Sequence, residues 1–407
     1  MFTSLNKPAR AGSHLAVLAL AAFLAACGGG DHHSPAPPGY PDHPGHPGGD
    51  SGPSYDVIPL GFPDVYGDIT RQSIADGGVV ASTSWGGPGG VPRAFLYNGT
   101  SEVDIGTLGG NFARAQGVNR CGHVTGWSGM ADGSSHAFVY DSSMHDLALA
   151  GGDGAGSAIN SCGKITGWSV AADGQTHAFL YDGTTVNDIG SFGGASFGLA
   201  INKPGQAVGY AYGPGNAWYH AFLYDSRTGG PIQDLGAPGG GNSSAAAIND
   251  AGQVVGSWRV GEGPVGAFYY EAGAIRDIGT LGGDFAEAVD INQSGIAVGS
   301  STLKSGGQRG FVYDGTTMSS IGTLGGSQFS EAVAINDSGL VVGSAIAGVG
   351  GEQHAISWTG KEGIVDLNTR LHAPPPGLVV LKGLAVAEDG NIAVRTNHGL
   401  ALLKLRH

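Results

Sequence analysis

The chain has 407 residues, enough for two ordinary domains or one large repetitive one; 77 are glycine and only 13% are charged. A hydrophobic share of 41% leaves ample material for a core and excludes wholesale disorder, and the absence of a third-residue glycine period excludes collagen. Net charge is −14, and −16 once Lys7 and Arg10 leave with the leader described next, so nucleic acid is a poor partner.

The first thirty residues, "MFTSLNKPARAGSHLAVLALAAFLAACGGG", read as an export signal. Lys7 and Arg10 form a basic n-region and Leu15 to Ala26 an apolar h-region too short to span a bilayer. "LAAC" at Leu24–Cys27 resembles the bacterial lipobox, which implies cleavage after residue 26, acylation of Cys27 and a lipid anchor in a membrane. Gly28 after the cysteine implies outer-membrane sorting, facing either the periplasm or the cell exterior. Residues 27–54 are the lipidated Cys and a tether of Gly, Pro, His and Asp. Its His32, His33, His43 and His46 lack the fixed geometry of a metal site.

From residue 55 to 405 the chain repeats itself. "DIGTLGG" stands at 104–110 and again at 277–283, and "SIGTLGG" at 320–326. Units run 67–110, 111–152, 153–194, 195–240, 241–283 and 284–326, and a seventh starts at 327. Each holds four short strand-like runs, as in "AAAIN", "QVVGS", "AFYYE" and "IRDIGTL". Four strands in 42–46 residues suit one blade of an all-β propeller. Between the first two runs an asparagine recurs (Asn119, Asn160, Asn202, Asn249, Asn292, Asn336) with glycine three residues on, the signature of a hairpin turn. The third run carries an aromatic pair, such as Phe138 and Tyr140, and the second a glycine, such as Gly256, expected to thin one blade to receive the next. "GTLGG" is expected to carry the chain across to the next blade on positive-φ glycines.

Residues 383–405 supply three strands of an eighth unit, and "YDVIPLGFP" at 55–63 reads as its missing fourth. Pairing the two ends would close the ring and remove its exposed edges. The most economical count is eight blades, with seven as the alternative.

The "HAF" run at 136–138, 177–179 and 220–222, with "HAISW" at 354–358, resembles the HAF family of extracellular repeats. The resemblance implies export and a repeat-built β fold, and no shared catalytic residue. His136, His177, His220 and His354 repeat blade by blade, which marks them as scaffold.

Positions that differ between blades are free for a ligand. Just before the first strand stand Thr70, Arg114, Ala155, Phe197, Ser244, Glu287, Glu331 and Lys382, a mixed rim in which Glu287 and Glu331 are the candidate acid–base pair. Trp127, Trp168 and Tyr210 share one position in consecutive units, and Trp218 joins them in the longest; such rings stack on sugars. Cys121 and Cys162 occupy equivalent turns and are a candidate disulfide in an oxidising compartment. No P-loop, zinc-ligand spacing or nucleophile elbow appears. Calcium in the channel stays open as a cofactor, without an acid ladder to hold it. Three functions follow: a binding or adhesion module for a glycan or surface protein, a propeller-based polysaccharide hydrolase or lyase, or a passive structural repeat.

Overall fold

A computed structural model describes residues 52–406, apart from Asp64, Gly87, Ala150, Val349 and Gly350. Cys27, the leader and the histidine-bearing tether lie outside the described residues. No helix among the described residues is long and apolar enough to cross a membrane.

The strands group into antiparallel sheets that follow the repeat, those of the fifth and sixth units linked by one parallel bridge between Val265 and Phe285, and the architecture is a β-propeller. Consecutive sheets occupy 67–104, 109–146, 154–190, 196–236, 242–277, 282–320 and 330–366, here the first to seventh units. The innermost strand of the first unit is broken into Gly67–Asp68 and Ile74–Ala75. The closing sheet joins both ends of the chain. Tyr55–Leu60 pairs along its whole length with Gly399–Leu405, from Tyr55 opposite Leu405 to Leu60 opposite Leu400. Ile392–Thr396 and then Val380–Val386 complete it.

Hydrogen bonds run from unit to unit around the molecule and return to their start. Each turn asparagine accepts backbone N–H groups of its own turn, as Asn160 Oδ1 does from Cys162 and Lys164. Its amide then donates to the backbone carbonyl at the same place in the next unit: Asn119 to Asn160, Asn160 to Asn202, Asn202 to Asn249, Asn249 to Asn292, Asn292 to Asn336, and Asn336 to Ala387, all at 2.9–3.2 Å. The asparagine is therefore a turn former and an inter-blade tie at once, and burial leaves no water to replace it. Asp389 N donates to Asp76 Oδ1 at 3.1 Å, and Val118 N to Gln72 O at 3.0 Å, which joins the closing sheet to the first unit and the first to the second.

The second-strand glycines have a cause other than the one expected. Every innermost strand except the broken one of the first unit bulges two residues from its end, for example at Ala246, between Ala245 and Ala247. A Cβ on Gly256 would strike the carbonyl of Ser244 in its own sheet, and Gly126, Gly209 and Gly299 are hemmed in alike. The glycine thus makes room for the inner strand of the same blade, while Phe268 stands directly opposite it. "GTLGG" behaves as expected: Gly106 and Gly109 have φ of 82° and 103°, and Gly110 abuts the backbone of Gly129.

The HAF histidines are straps within each sheet. His136 bonds Asp146 at 2.8 Å, His177 bonds Asp188 at 2.7 Å, His220 bonds Asp234 at 3.0 Å and His354 bonds Asp366 at 2.6 Å. Each aspartate also caps the turn that follows, as Asp188 Oδ1 accepts from Gly190 N and Asp234 Oδ1 from Gly236 N. Arg93 holds Asp104 in the same manner; where the aspartate becomes Ser320, Arg309 donates instead to the Ser327 carbonyl.

Candidate functional site

The inner strands start at one mouth of the central channel and end in the asparagine turns at the other. At the strand-start mouth, the first two strands of each sheet pair variable positions side by side: Arg114 with Trp127, Ala155 with Trp168, Phe197 with Tyr210, Ser244 with Ser257, Glu287 with Ser300, Glu331 with Ser344, and Lys382 with Arg395. Strand register fixes this double ring, so its chemistry is a direct readout of two sequence positions per repeat. In the first unit the corresponding pair is Asp68 with Thr83. Thr70, assigned to the rim from the sequence, lies within the strand break, between Asp68 and Ile74, and donates to the Gln116 carbonyl at 2.5 Å.

The double ring is divided by chemistry. One arc is aromatic and cationic. Arg395 lies 5.0 Å from the Tyr66 ring centre, Tyr66 contacts Trp85 at 5.0 Å, and Arg114 lies 4.6 Å over Trp85 and 5.4 Å over Trp127. Further round, Phe197 stacks on Tyr210 at 5.0 Å and meets Trp168 edge-on at 5.8 Å, while Tyr212 and Tyr219 close on Tyr210 at 5.8 and 5.6 Å. Burial pushes the Tyr210 hydroxyl up to about 12, so it stays a neutral donor at physiological pH. The opposite arc holds serines and the two glutamates.

Glu331 is not the solvated rim acid expected. It is only 6% exposed, takes Lys382 Nζ at 2.6 Å, and accepts from Ser344 Oγ at 2.6 Å. Both rim charges are spent on each other, because neighbouring strand starts bring a carboxylate and an ammonium within contact. The pairing of Glu287 with Glu331 as acid and base loses one member. Trp218 also departs from the row: it packs on Phe192 and His220, beneath the 213–217 loop, instead of on Tyr210. Cys121 and Cys162 are free and exposed, so the candidate disulfide between their equivalent turns is not formed. The asparagine tie joins the bases of these turns, whereas the cysteines stand two residues farther on.

Inside the channel, the broken strand of the first unit supplies a plug that the sequence did not reveal. Arg71 Nη2 donates to the Ala246 carbonyl and Gln72 Nε2 to the Leu199 carbonyl at 3.4 Å, both at bulged residues of distant sheets. A bulge leaves its carbonyl unpaired within the sheet, and the plug satisfies it. Asp290 lines the same cavity, accepting from Ile335 N and Ile291 N at 3.0 Å. Burial raises the Asp290 and Glu287 carboxyls above their ordinary range, opposed by the positive charge of Arg71.

A carboxyl whose folded pKa exceeds its unfolded one binds its proton more tightly in the native state. Its contribution to stability therefore grows as pH falls through the folded pKa and levels off below the unfolded value of 3.8. Asp290→Asn is expected to remove that acid-side gain. Urea unfolding from pH 7 to 4 checks this as the difference between variant and wild type; parallel pH profiles would refute it.

No family model matches the chain, and no curated protein matches it. Among solved structures it is similar to the β-propeller domain of the Trilobed protease from Pyrococcus furiosus, which has an open velcro topology (11% identity, 62% of this chain and 83% of that one, TM-score 0.40). It is also similar to a Mycobacterium tuberculosis puromycin-hydrolyzing peptidase (10% identity, 84% and 62%, TM-score 0.48) and to the BP39L lectin from Burkholderia pseudomallei (11% identity, 76% and 98%, TM-score 0.42). The chain spans less than two thirds of that peptidase. Likeness at this level says nothing of ligand or activity.

Proposed function

We propose that the protein is an exported, lipid-anchored propeller of eight blades that binds a glycan at the strand-start mouth. One observation carries the ligand reading: aromatic side chains from neighbouring blades line one arc of that mouth, with polar groups on the other. Sugar rings present apolar C–H faces to such aromatics and hydroxyls to the serines beside them. An acyl anchor on Cys27 would tie the propeller to a membrane through the 27–54 tether, and the HAF resemblance supports export. The hydrolase or lyase alternative is weakened by the Glu331–Lys382 pair, which removes Glu331 from the candidate acid–base couple with Glu287.

The test is retention of cells carrying the full chain on beads coated with a broad set of oligosaccharides. Wild-type cells are expected to be retained on a subset. Trp168→Ala should weaken soluble-ligand affinity by about tenfold, the loss of one stacked ring. Cys27→Ser should abolish cell retention while leaving the affinity of the purified protein unchanged. Absence of retention on every glycan, or retention indifferent to Trp168, rejects the reading.

A further inference from the structure

We infer that the glycan is acidic and that Arg114 receives its carboxylate, an inference that rests on the glycan reading above. Arg114 is half-buried at the strand-start mouth and lies over the rings of both Trp85 and Trp127. A guanidinium so placed spends its flat faces on the indoles and keeps its in-plane N–H groups, the ones that fit a carboxylate two at a time. Among the described residues those groups make no hydrogen bond or ion pair. This sets Arg114 apart from Arg93, which is held by Asp104, and from Arg227, which is held by Asp225.

The surroundings favour one small anion. Arg114 and Arg395 bring two positive charges to this arc; Asp68 is the acid nearest, 3.9 Å from Arg395, and it also acts on Arg114. The local sum is one positive charge, set within a molecule of net charge −14. A single uronic or similar acidic sugar matches that local field, whereas a long polyanion meets the repulsion of the whole. Tyr66 is 59% exposed and offers a ring beside Trp85, so the sugar bearing the carboxylate can stack while its acid group pairs. The neutral remainder of the glycan would follow the mouth toward Trp127 and Trp168.

The experiment uses the full chain and reads tryptophan fluorescence on titration. The probes are uronic-acid-terminated trisaccharides, the same sugars as methyl esters, and an acidic peptide of equal charge. The acid is expected to bind at least about tenfold more tightly than its ester, the worth of a charge-assisted pair. Added salt should shrink the preference. Arg114→Gln should bring the ratio to near one while neutral sugars still bind, and Arg114→Lys should restore part of it.

Equal affinity of acid and ester in the wild-type protein overturns the inference and leaves glycan binding intact. A preference that survives in Arg114→Gln also overturns it, because the carboxylate is then received elsewhere. Peptide binding as tight as the sugar's makes this an acidic-peptide site and overturns it too. Failure of every sugar, acidic or neutral, sinks the glycan reading itself and this inference with it. The acid-to-ester comparison needs only the wild-type chain, so a poorly folding variant cannot shield the idea.

Discussion

Tyr55→Ala is expected to cost about 3–5 kcal/mol of stability, the range for truncating a fully buried aromatic. Tyr55 is 1% exposed although it lies on the outermost strand of its sheet and almost at the start of the described chain. Its ring belongs to a cluster with Leu367, Val380, Val394 and Leu403, which also takes in Ala334, Val342 and Ala355 of the seventh unit. The side chain therefore binds the closing sheet to the sheet before it, as well as one chain end to the other. Its carbonyl accepts from His372 N at 2.8 Å, and Arg406 N donates to Ser54 O at 3.0 Å, so the ladder continues one step beyond Tyr55 while the strand's other edge takes a backbone bond from residue 372. Burial pushes the Tyr55 hydroxyl up to about 12, with Glu362 adding to the rise and Arg370 opposing it.

The comparison that gives this result meaning is Tyr66→Ala, at a side chain 59% exposed, where a change of about 0.5 kcal/mol or less is expected. Tyr55→Phe keeps the ring and should sit near the wild type. Denaturant unfolding of the three variants reads out how much closure matters. In a closed ring, loosening the final sheet exposes the edges of two neighbours, and the whole transition should move. A Tyr55→Ala effect as small as that of Tyr66→Ala would mean that Tyr55–Leu60 is an appendage and that the ring does not depend on it.

The closure was legible in the sequence because strand four of a repeat unit was missing at one end of the chain and present at the other. Repetition also made the Asn119–Asn336 turns and the glycine crossings readable. What repetition could not disclose was how far each group reaches. The asparagine amide bonds a carbonyl more than forty residues away, and only the spacing of assembled blades brings the two together. The His–Asp straps did leave a signal, since the aspartate of "DIG" is lost as Ser320 in a unit that also lacks the histidine, but its meaning depends on strands three and four being paired.

The mouth was half legible. Arg114, Trp127, Trp168 and Tyr210 were found because register alone places them. Trp85 and Tyr66 were missed because the broken inner strand makes the first unit depart from the repeat spacing, whereas Arg395 keeps the repeat position opposite Lys382 but follows Val394 where other units have the marking glycine. Arg71 and Asp290 were missed because a strand break and a bulge have no fixed sequence mark. Glu331 was assigned to the correct ring and the wrong surroundings: its burial is created by Lys382, fifty-one residues later.

That pair yields a second large effect. Lys382→Met is expected to destabilise the protein by about 3 kcal/mol, because it strands a carboxylate that is 6% exposed beside a serine that satisfies only part of it. The figure is set at the low end of the range for a broken buried pair, since the lysine side chain is 27% exposed and water screens part of the attraction. Glu331→Gln alone should cost less, as a neutral amide still accepts from Ser344 and leaves an ammonium with access to solvent. The double variant should recover most of the loss, since no unpaired charge then remains at the seam between the seventh unit and the closing sheet. A double-mutant cycle in denaturant gives the coupling energy directly. Coupling near zero would mean that the two side chains do not share one environment, and Glu331 would return as a free acid at the mouth. A large coupling makes the pair a fastener of the ring, and any loss of ligand binding in Glu331→Gln would then need to be weighed against the stability lost with it.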